Sequence, residues 1–120
     1  MNNLDRYTLI TGGTEGIGLE IAKLFAEDKH NLIIVARNEE KLKAVKKSLE
    51  NQYKINVETI AVDLSVYKSC EKIFKFVDEK NFIVDNLINN AGIGCFGYFN
   101  ELDLSEQQKL IKLNVLALTD

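Results

Sequence analysis

All seven glycines of this 120-residue chain fall in two short segments, Gly12, Gly13, Gly16 and Gly18, then Gly92, Gly94 and Gly97, and the chain has no proline. Glycine admits positive φ and lets a ligand or a second backbone come close. Two clusters therefore mark two places where something approaches the main chain. The first, Thr11-Gly12-Gly13-Thr14-Glu15-Gly16-Ile17-Gly18, lies between a β-prone run and a helical pattern. A glycine turn feeding a helix N-terminus offers free N–H groups and partial positive charge, a site suited to a pyrophosphate. The spacing is G-x-x-x-G-x-G rather than G-x-G-x-x-G, and the Gly-Lys-Ser/Thr ending of an ATP-binding loop is missing. A glycine-rich turn that holds no ligand is the competing reading.

Three further places could carry recognition. After the second apolar run, an NAD site ordinarily has Asp or Glu to accept hydrogen bonds from the ribose 2′-hydroxyl. Here Ala36 is followed by Arg37, and a guanidinium fork suits a 2′-phosphate. NADP(H) is favoured over NAD(H), against the alternative of a solvated surface arginine. Glu15 opposes that preference, because it puts a carboxylate in the glycine loop close to where the phosphate would lie. Asp63 closes the third run, where accepting from an adenine amino group and capping the next helix are both open to it and do not exclude each other. Asn89-Asn90-Ala91-Gly92 closes the fourth. Small residues at that edge leave room for a ribose, or simply make a turn.

The elements that must position these residues alternate. Tyr7–Thr11, Leu32–Ala36, Ile55–Val62 and a segment within Phe82–Ile88 read as strands. Between them lie helical patterns. The first starts at Gly16, with Ile17, Ile21, Leu24 and Phe25 as its apolar face. The second starts after an Asn38 N-cap, with Leu42, Val45 and Leu49 inward and Glu39, Lys43, Lys46, Lys47 and Glu50 outward. The third starts at Ser65, with Cys70, Ile73, Phe74 and Val77 buried. A last helix is expected from Ser105, and from Ile111 to Leu118 it is apolar around most of its circumference, as in a helix buried on more than one side. The order β-α-β-α-β-α-β-α predicts a parallel sheet covered by helices on both faces. No repeat or linker divides it.

Taken together, Thr11–Gly18, Arg37, the Val-Asp-Leu ending at Leu64 and Asn89–Gly92 resemble the short-chain dehydrogenase/reductase family, in order and at matching spacing from Tyr7 to the end. The resemblance implies one α/β domain over residues 1–120, a three-layer Rossmann-type fold of strand order 3-2-1-4. It implies that Gly12, Thr14, Gly16, Ile17 and Gly18 surround the pyrophosphate and adenosine ribose. Arg37 would meet the 2′-phosphate, Asp63 and Leu64 would border the adenine, and Asn90, Ala91 and Gly92 would line the ribose pocket. The family moves a hydride between a nicotinamide and a carbonyl or alcohol carbon, using a tetrad of Asn, Ser, Tyr and Lys. Asn114, in Leu113-Asn114-Val115, matches the tetrad Asn, which sits in the family's fifth helix and holds a water in the proton relay. The residues four beyond Tyr7, Tyr53, Tyr67 and Tyr98 are Thr11, Val57, Glu71 and Leu102, so no Tyr-x-x-x-Lys occurs. These residues are therefore expected to be the N-terminal, cofactor-binding half of a longer protein, breaking off after the fifth helix and inactive alone. In the full-length protein the last helix is expected to pair subunits into a homo-oligomer.

Composition narrows the classes. With 15 Lys and Arg against 18 Asp and Glu, the net charge is −3, and 46% of residues are apolar. That excludes disorder and argues against nucleic-acid binding. No apolar run nears the ~18 residues of a bilayer span, and the polar start at Met1–Arg6 does not read as a signal peptide. Cys70 and Cys95 lack disulfide-framework or zinc spacing, which fits a reducing cytoplasm. Cys95 carries no mark of an activated thiol, and the only histidine, His30, reads as a surface residue in a turn. The aromatic stretch Ile93–Asn100 either walls a substrate cleft or packs on the last helix. The expected function is an NADP(H)-dependent oxidoreductase acting on a small carbonyl or alcohol. The alternative is a non-catalytic NADP(H)-binding or regulatory module, while a methyltransferase is disfavoured by Arg37 and the Asn-Asn-Ala-Gly turn.

Overall fold

The computed structural model describes residues 6–63, 69–89 and 114–117. Its elements are β1 (Arg6–Thr11), α1 (Gly16–Glu27), β2 (Asn31–Ala36), α2 (Glu39–Tyr53), β3 (Val57–Ala61), α3 (Ser69–Glu79), β4 (Ile83–Asn89) and β5 (Asn114–Ala117). All strand pairs are parallel, in the order β3-β2-β1-β4-β5. The first four strands thus take the expected 3-2-1-4 order. A right-handed crossover rule and βαβ-length connections leave few other arrangements for this element sequence.

The two faces of the sheet separate by strand alternation. On one face Tyr7, Leu9, Ile33, Val35, Val84 and Leu87 pack with Ile73 and Val77 of α3. On the other, Ile10, Leu32, Ile34, Ala36, Val57 and Ile88 pack with Ala22 and Ala26 of α1 and Leu42 and Leu49 of α2. Strand β2 contributes to both, which is why Leu32–Ala36 is apolar without alternation. Between β1 and β4 the register shifts at Tyr7/Thr8, so that Val84 pairs with Tyr7 and Asn86 with Thr8. Asp85 is the extra residue of this bulge. Its carboxylate accepts from Nε and Nη2 of Arg6, both at 2.8 Å.

Helix α1 presents a different face from the one expected. Its buried residues are Gly18, Ala22 and Ala26, whereas Ile17 and Leu24 are 62% and 63% exposed. Ile21 and Phe25 flank the contact, packed against the core from its margin. The small residues win the central position because they let the helix axis lie close to the strands, and the larger side chains then fill the edges.

Helix α2 follows the sequence more closely. Asn38 caps it, its side-chain oxygen accepting from the Lys41 N–H at 3.0 Å, and Leu42 and Leu49 are buried. Glu39 and Lys43 form the exposed i, i+4 pair at 3.6 Å. Lys46 and Glu50, expected outward, turn instead toward the start of β3. Lys46 donates to the Val57 carbonyl and to Glu50, and Glu50 accepts from the Val57 N–H at 3.1 Å. They satisfy backbone groups where the edge strand begins.

Each helix exits through a residue in the left-handed region: Lys29 (φ 65), Lys54 (φ 59) and Asn81 (φ 58). Glycine is the usual solution there. Lys54 caps α2 through its backbone N–H to the Glu50 carbonyl, a bond that glycine retains. Lys54→Gly is therefore expected to stabilise the protein by about 0.5–1 kcal/mol, the relief of left-handed strain exceeding the added chain entropy. A higher urea midpoint at unchanged slope would show it.

Several boundaries differ from the sequence reading. Strand β3 is shorter than Ile55–Val62, and Ser65, the expected start of the third helix, lies outside the described residues. The larger correction concerns residues 114–117, expected within a helix apolar nearly all round. They form β5, paired to β4 from Asn86↔Asn114 to Asn89↔Ala117. A short apolar run satisfies a helix and a buried strand equally well. What decides here is the open edge of β4, whose unpaired N–H and C=O groups a parallel strand satisfies. The fifth-helix setting does not describe these four residues. The expected start of that helix at Ser105 lies outside the described residues. Among the described residues no helix is long and apolar enough to cross a membrane.

Candidate functional site

The strand order places the site. From β1 the chain crosses to β2 and β3 on one side, then returns past β1 to β4 on the other. At such a switch point the loops leaving the carboxyl ends of neighbouring strands part, and a crevice opens between them. The loop leaving β1 there is the glycine cluster.

Its conformation follows from its neighbours. The buried Thr11 hydroxyl donates to the Ile88 carbonyl of β4 at 3.4 Å. The Gly12 N–H donates to the Val35 carbonyl of β2 at 2.7 Å. Gly12 takes φ 70 and Gly16 φ 62, both in the left-handed region. Between them Gly13 lies flat on the core, where a Cβ would stand 2.9 Å from Cγ2 of Ile34 and 3.3 Å from Cγ2 of Ile10. Gly16 is the opposite case, since a Cβ there would meet nothing within 4 Å. The loop is pressed against the sheet below and open above.

Helix α1 begins in that open space. Its N-cap residue, Glu15, is extended and makes no side-chain cap bond, and the first turn contains no acidic residue. A positive helix-dipole end that its own N-cap and first turn leave uncompensated suits an anion. The Glu15 carboxylate turns away to Lys41 on the first turn of α2, with Nζ to Oε2 at 3.1 Å. These features fit a pyrophosphate, with close approach permitted by Gly12 and Gly16 and N–H groups supplied by α1.

The remaining expected residues fall as follows. Thr14 is half-buried, Glu15, Gly16 and Ile17 are exposed, and Gly18 is buried against the sheet. Gly18 shares the buried stripe of α1 with Ala22 and Ala26, and the exposed Ile17 stands beside the open loop. Arg37 directly follows β2, is exposed, and has no ion-pair partner among the described residues. Asp63 lies just beyond β3, exposed, at the same edge of the sheet, where the Val62 N–H still donates to the Ala36 carbonyl at 2.9 Å. Leu64, Asn90, Ala91 and Gly92 lie outside the described residues, as do Cys95 and the Ile93–Asn100 stretch. Asn89 ends β4 in register with Thr11. Asn114 opens β5 in register with Asn86, three residues, about 10 Å, back from the carboxyl edge.

Two arrangements escaped the sequence reading. Lys41 joins the glycine loop to α2 across 26 residues. Its only sequence signal is its place three residues after the Asn38 cap, on the turn nearest the end of β2. His30 is not a simple surface residue. Its Nδ1 lies 3.2 Å from the hydroxyl of the fully buried Thr8, which accepts from Asn86 Nδ2 at 3.2 Å, and its ring packs edge-on against Phe25. That chain runs at the amino-terminal edge, away from the glycine loop, and it satisfies the one polar position inside β1 on that face.

Known proteins share this fold. The chain is 36% identical over 116 residues to 3-ketodihydrosphingosine reductase of Mus musculus, covering 92% of this chain and 35% of that protein. It is 33% identical over 116 residues to the Homo sapiens inactive hydroxysteroid dehydrogenase-like protein 1, covering 93% and 34%. L-sorbose reductase from Gluconobacter frateurii, solved with NADPH and L-sorbose, superposes with a TM-score of 0.69 at 26% identity, over 92% of this chain and 47% of that one. The chain spans about a third of the length of the curated relatives it matches. Residues 6–119 match the short chain dehydrogenase family. That match starts at the first residue of β1 and runs past the end of β5, leaving no described element outside it, and the chain belongs to the short-chain dehydrogenase family.

Proposed function

We propose that these residues form the cofactor-binding part of an NADP(H)-dependent oxidoreductase that acts on a small carbonyl or alcohol compound. The observation that carries the reading is the glycine turn at the switch point, open above Gly16 and feeding an α1 N-terminus that no side chain of its own caps. In this reading Gly12, Thr14, Gly16, Ile17 and Gly18 shape the pyrophosphate and ribose cradle. Asp63 and Leu64 border the adenine, and Asn90, Ala91 and Gly92 line the ribose pocket. Arg37 takes the 2′-phosphate, supported by its exposure and lack of an ion-pair partner among the described residues. The bound nicotinamide supplies hydride, and the protein supplies orientation and the proton donor. Asn114 retains the tetrad role by its motif alone. The Ser, Tyr and Lys of the tetrad have no counterpart in residues 1–120, where no Tyr is followed by Lys four residues on. A cytoplasmic location is part of the same proposal.

The test is a pair of fluorescence titrations with NADPH and NADH. NADPH is expected to bind more tightly. Arg37→Ala is expected to weaken NADPH by roughly 10- to 100-fold, the loss of a charge-assisted hydrogen bond, with little change for NADH. Equal affinity for the two dinucleotides in the unsubstituted protein would sink the NADP preference. Residues 1–120 alone are expected to bind nucleotide weakly and to turn over no carbonyl substrate.

A second reading, a non-catalytic NADP(H)-binding or regulatory module, is favoured by resemblance to a relative whose own name calls it inactive. Fold alone does not decide between them. NADPH oxidation by the full natural chain with a panel of ketones separates the two readings: turnover supports the first, and binding without turnover the second.

A further inference from the structure

The Glu15–Lys41 ion pair raises a question that the proposed cofactor reading leaves open, and its answer rests on that reading. A carboxylate in the glycine loop, beside the end of β2, stands against a 2′-phosphate. Glu15 is nevertheless exposed there, extended, and engaged with Lys41 Nζ at 3.1 Å rather than with the helix N–H groups it could cap. Lys41 comes from the first turn of α2, four residues after Arg37, and its side chain is half-exposed. The ammonium thus bridges the two segments that flank the adenosine ribose in this reading, the glycine loop and the exit of β2.

An ammonium has three donors. The Glu15 oxygen at 3.1 Å takes one, and no other side-chain bond of Lys41 is present among the described residues. We infer that Lys41 is a specificity-determining residue for the cofactor: it neutralises Glu15 and offers its remaining donors to the 2′-phosphate, so that Glu15 and Lys41 together set the preference for NADP(H). A flexible point charge suits this double duty better than a guanidinium, which is matched to one planar partner. Surface ion pairs of this kind contribute little to folding, so the pair can re-form around an incoming phosphate without destabilising the protein.

The inference predicts an unequal double-mutant cycle, read as the dissociation constants of NADPH and NADH for the full natural chain. Lys41→Ala is expected to weaken NADPH by about tenfold or more, since it removes a cation and unmasks a carboxylate, and to leave NADH within about twofold. Glu15→Gln is expected to tighten NADPH by about threefold, again without moving NADH. In the Glu15→Gln background, Lys41→Ala is expected to cost less than it does alone, because no carboxylate remains to unmask. Lys41→Arg is expected to restore most of the preference, and added salt to shrink every difference. An unchanged urea midpoint in each variant would show that folding is not what moved.

Equal losses for NADPH and NADH in Lys41→Ala, or a cycle without coupling, would overturn the inference and leave the NADP reading standing. Failure of the unsubstituted protein to prefer NADPH would overturn both.

Discussion

Replacing Ile34 with alanine is expected to destabilise the protein by about 2–5 kcal/mol, and replacing Gly13 with alanine by about 1–3 kcal/mol. The two losses should not add. Ile34 is fully buried on the face of β2 beneath the glycine loop, and its Cγ2 is the atom that a Gly13 Cβ would meet at 2.9 Å. A β-branched side chain in a strand has little rotamer freedom to retreat, so Gly13→Ala must lift the loop or displace β2. Ile34→Ala removes that methyl and leaves a void beside the loop. The double variant places the new methyl near the void, and its destabilisation should fall short of the sum by about 1 kcal/mol. Urea unfolding of the four proteins measures the cycle. Strict additivity would mean that the loop does not rest on Ile34. Gly13→Ala should also weaken NADPH binding, since lifting the loop moves Gly12 and Gly16 off the crevice.

The second large effect concerns the seat of α1. Ala22→Leu is expected to cost about 1–3 kcal/mol, the range for forcing extra methylenes into a packed interior. Ala22 is fully buried between helix and sheet. Leu24→Ala, two residues away, should change stability by less than about 0.5 kcal/mol, since that side chain is 63% exposed and surface changes of this kind are small. The contrast is informative because the larger hydrophobe is the dispensable one. Ala22→Leu should also impair dinucleotide binding, by moving the α1 N-terminus that the glycine loop feeds. If Leu24→Ala proved the more damaging of the two, the orientation of α1 described above would be wrong.

Much of this protein was legible in residue order alone. Apolar runs separated by helical patterns specify a parallel sheet, because the connections are too long for hairpins and the crossovers have one hand. The Asn38 cap, the buried Leu42 and Leu49, and the position of the glycine loop after β1 are local consequences of residue type and spacing. They needed no knowledge of what lay across the fold.

Tertiary structure decided the rest, wherever the outcome depends on a partner distant in sequence. Helix α1 carries both a stripe of large apolar residues and a stripe of small ones, and periodicity favours the first. The distance between helix axis and strands selects the second, turning the helix by about a third of a turn. Lys46 and Glu50 look like solvated helix residues until the unpaired backbone at Val57 is beside them. Residues 114–117 suit a helix until the open edge of β4 offers hydrogen bonds. His30 is a turn residue until the register of β1 and β4 presents Thr8 and Asn86 to it. The Glu15–Lys41 contact exists only because two loops from adjacent strands reach the same edge. Sequence determined the elements from β1 to β4 and their order, since those depend on near neighbours. Which faces meet, and which charges pair, was settled when the chain was closed upon itself, because only then do distant residues compete for the same space.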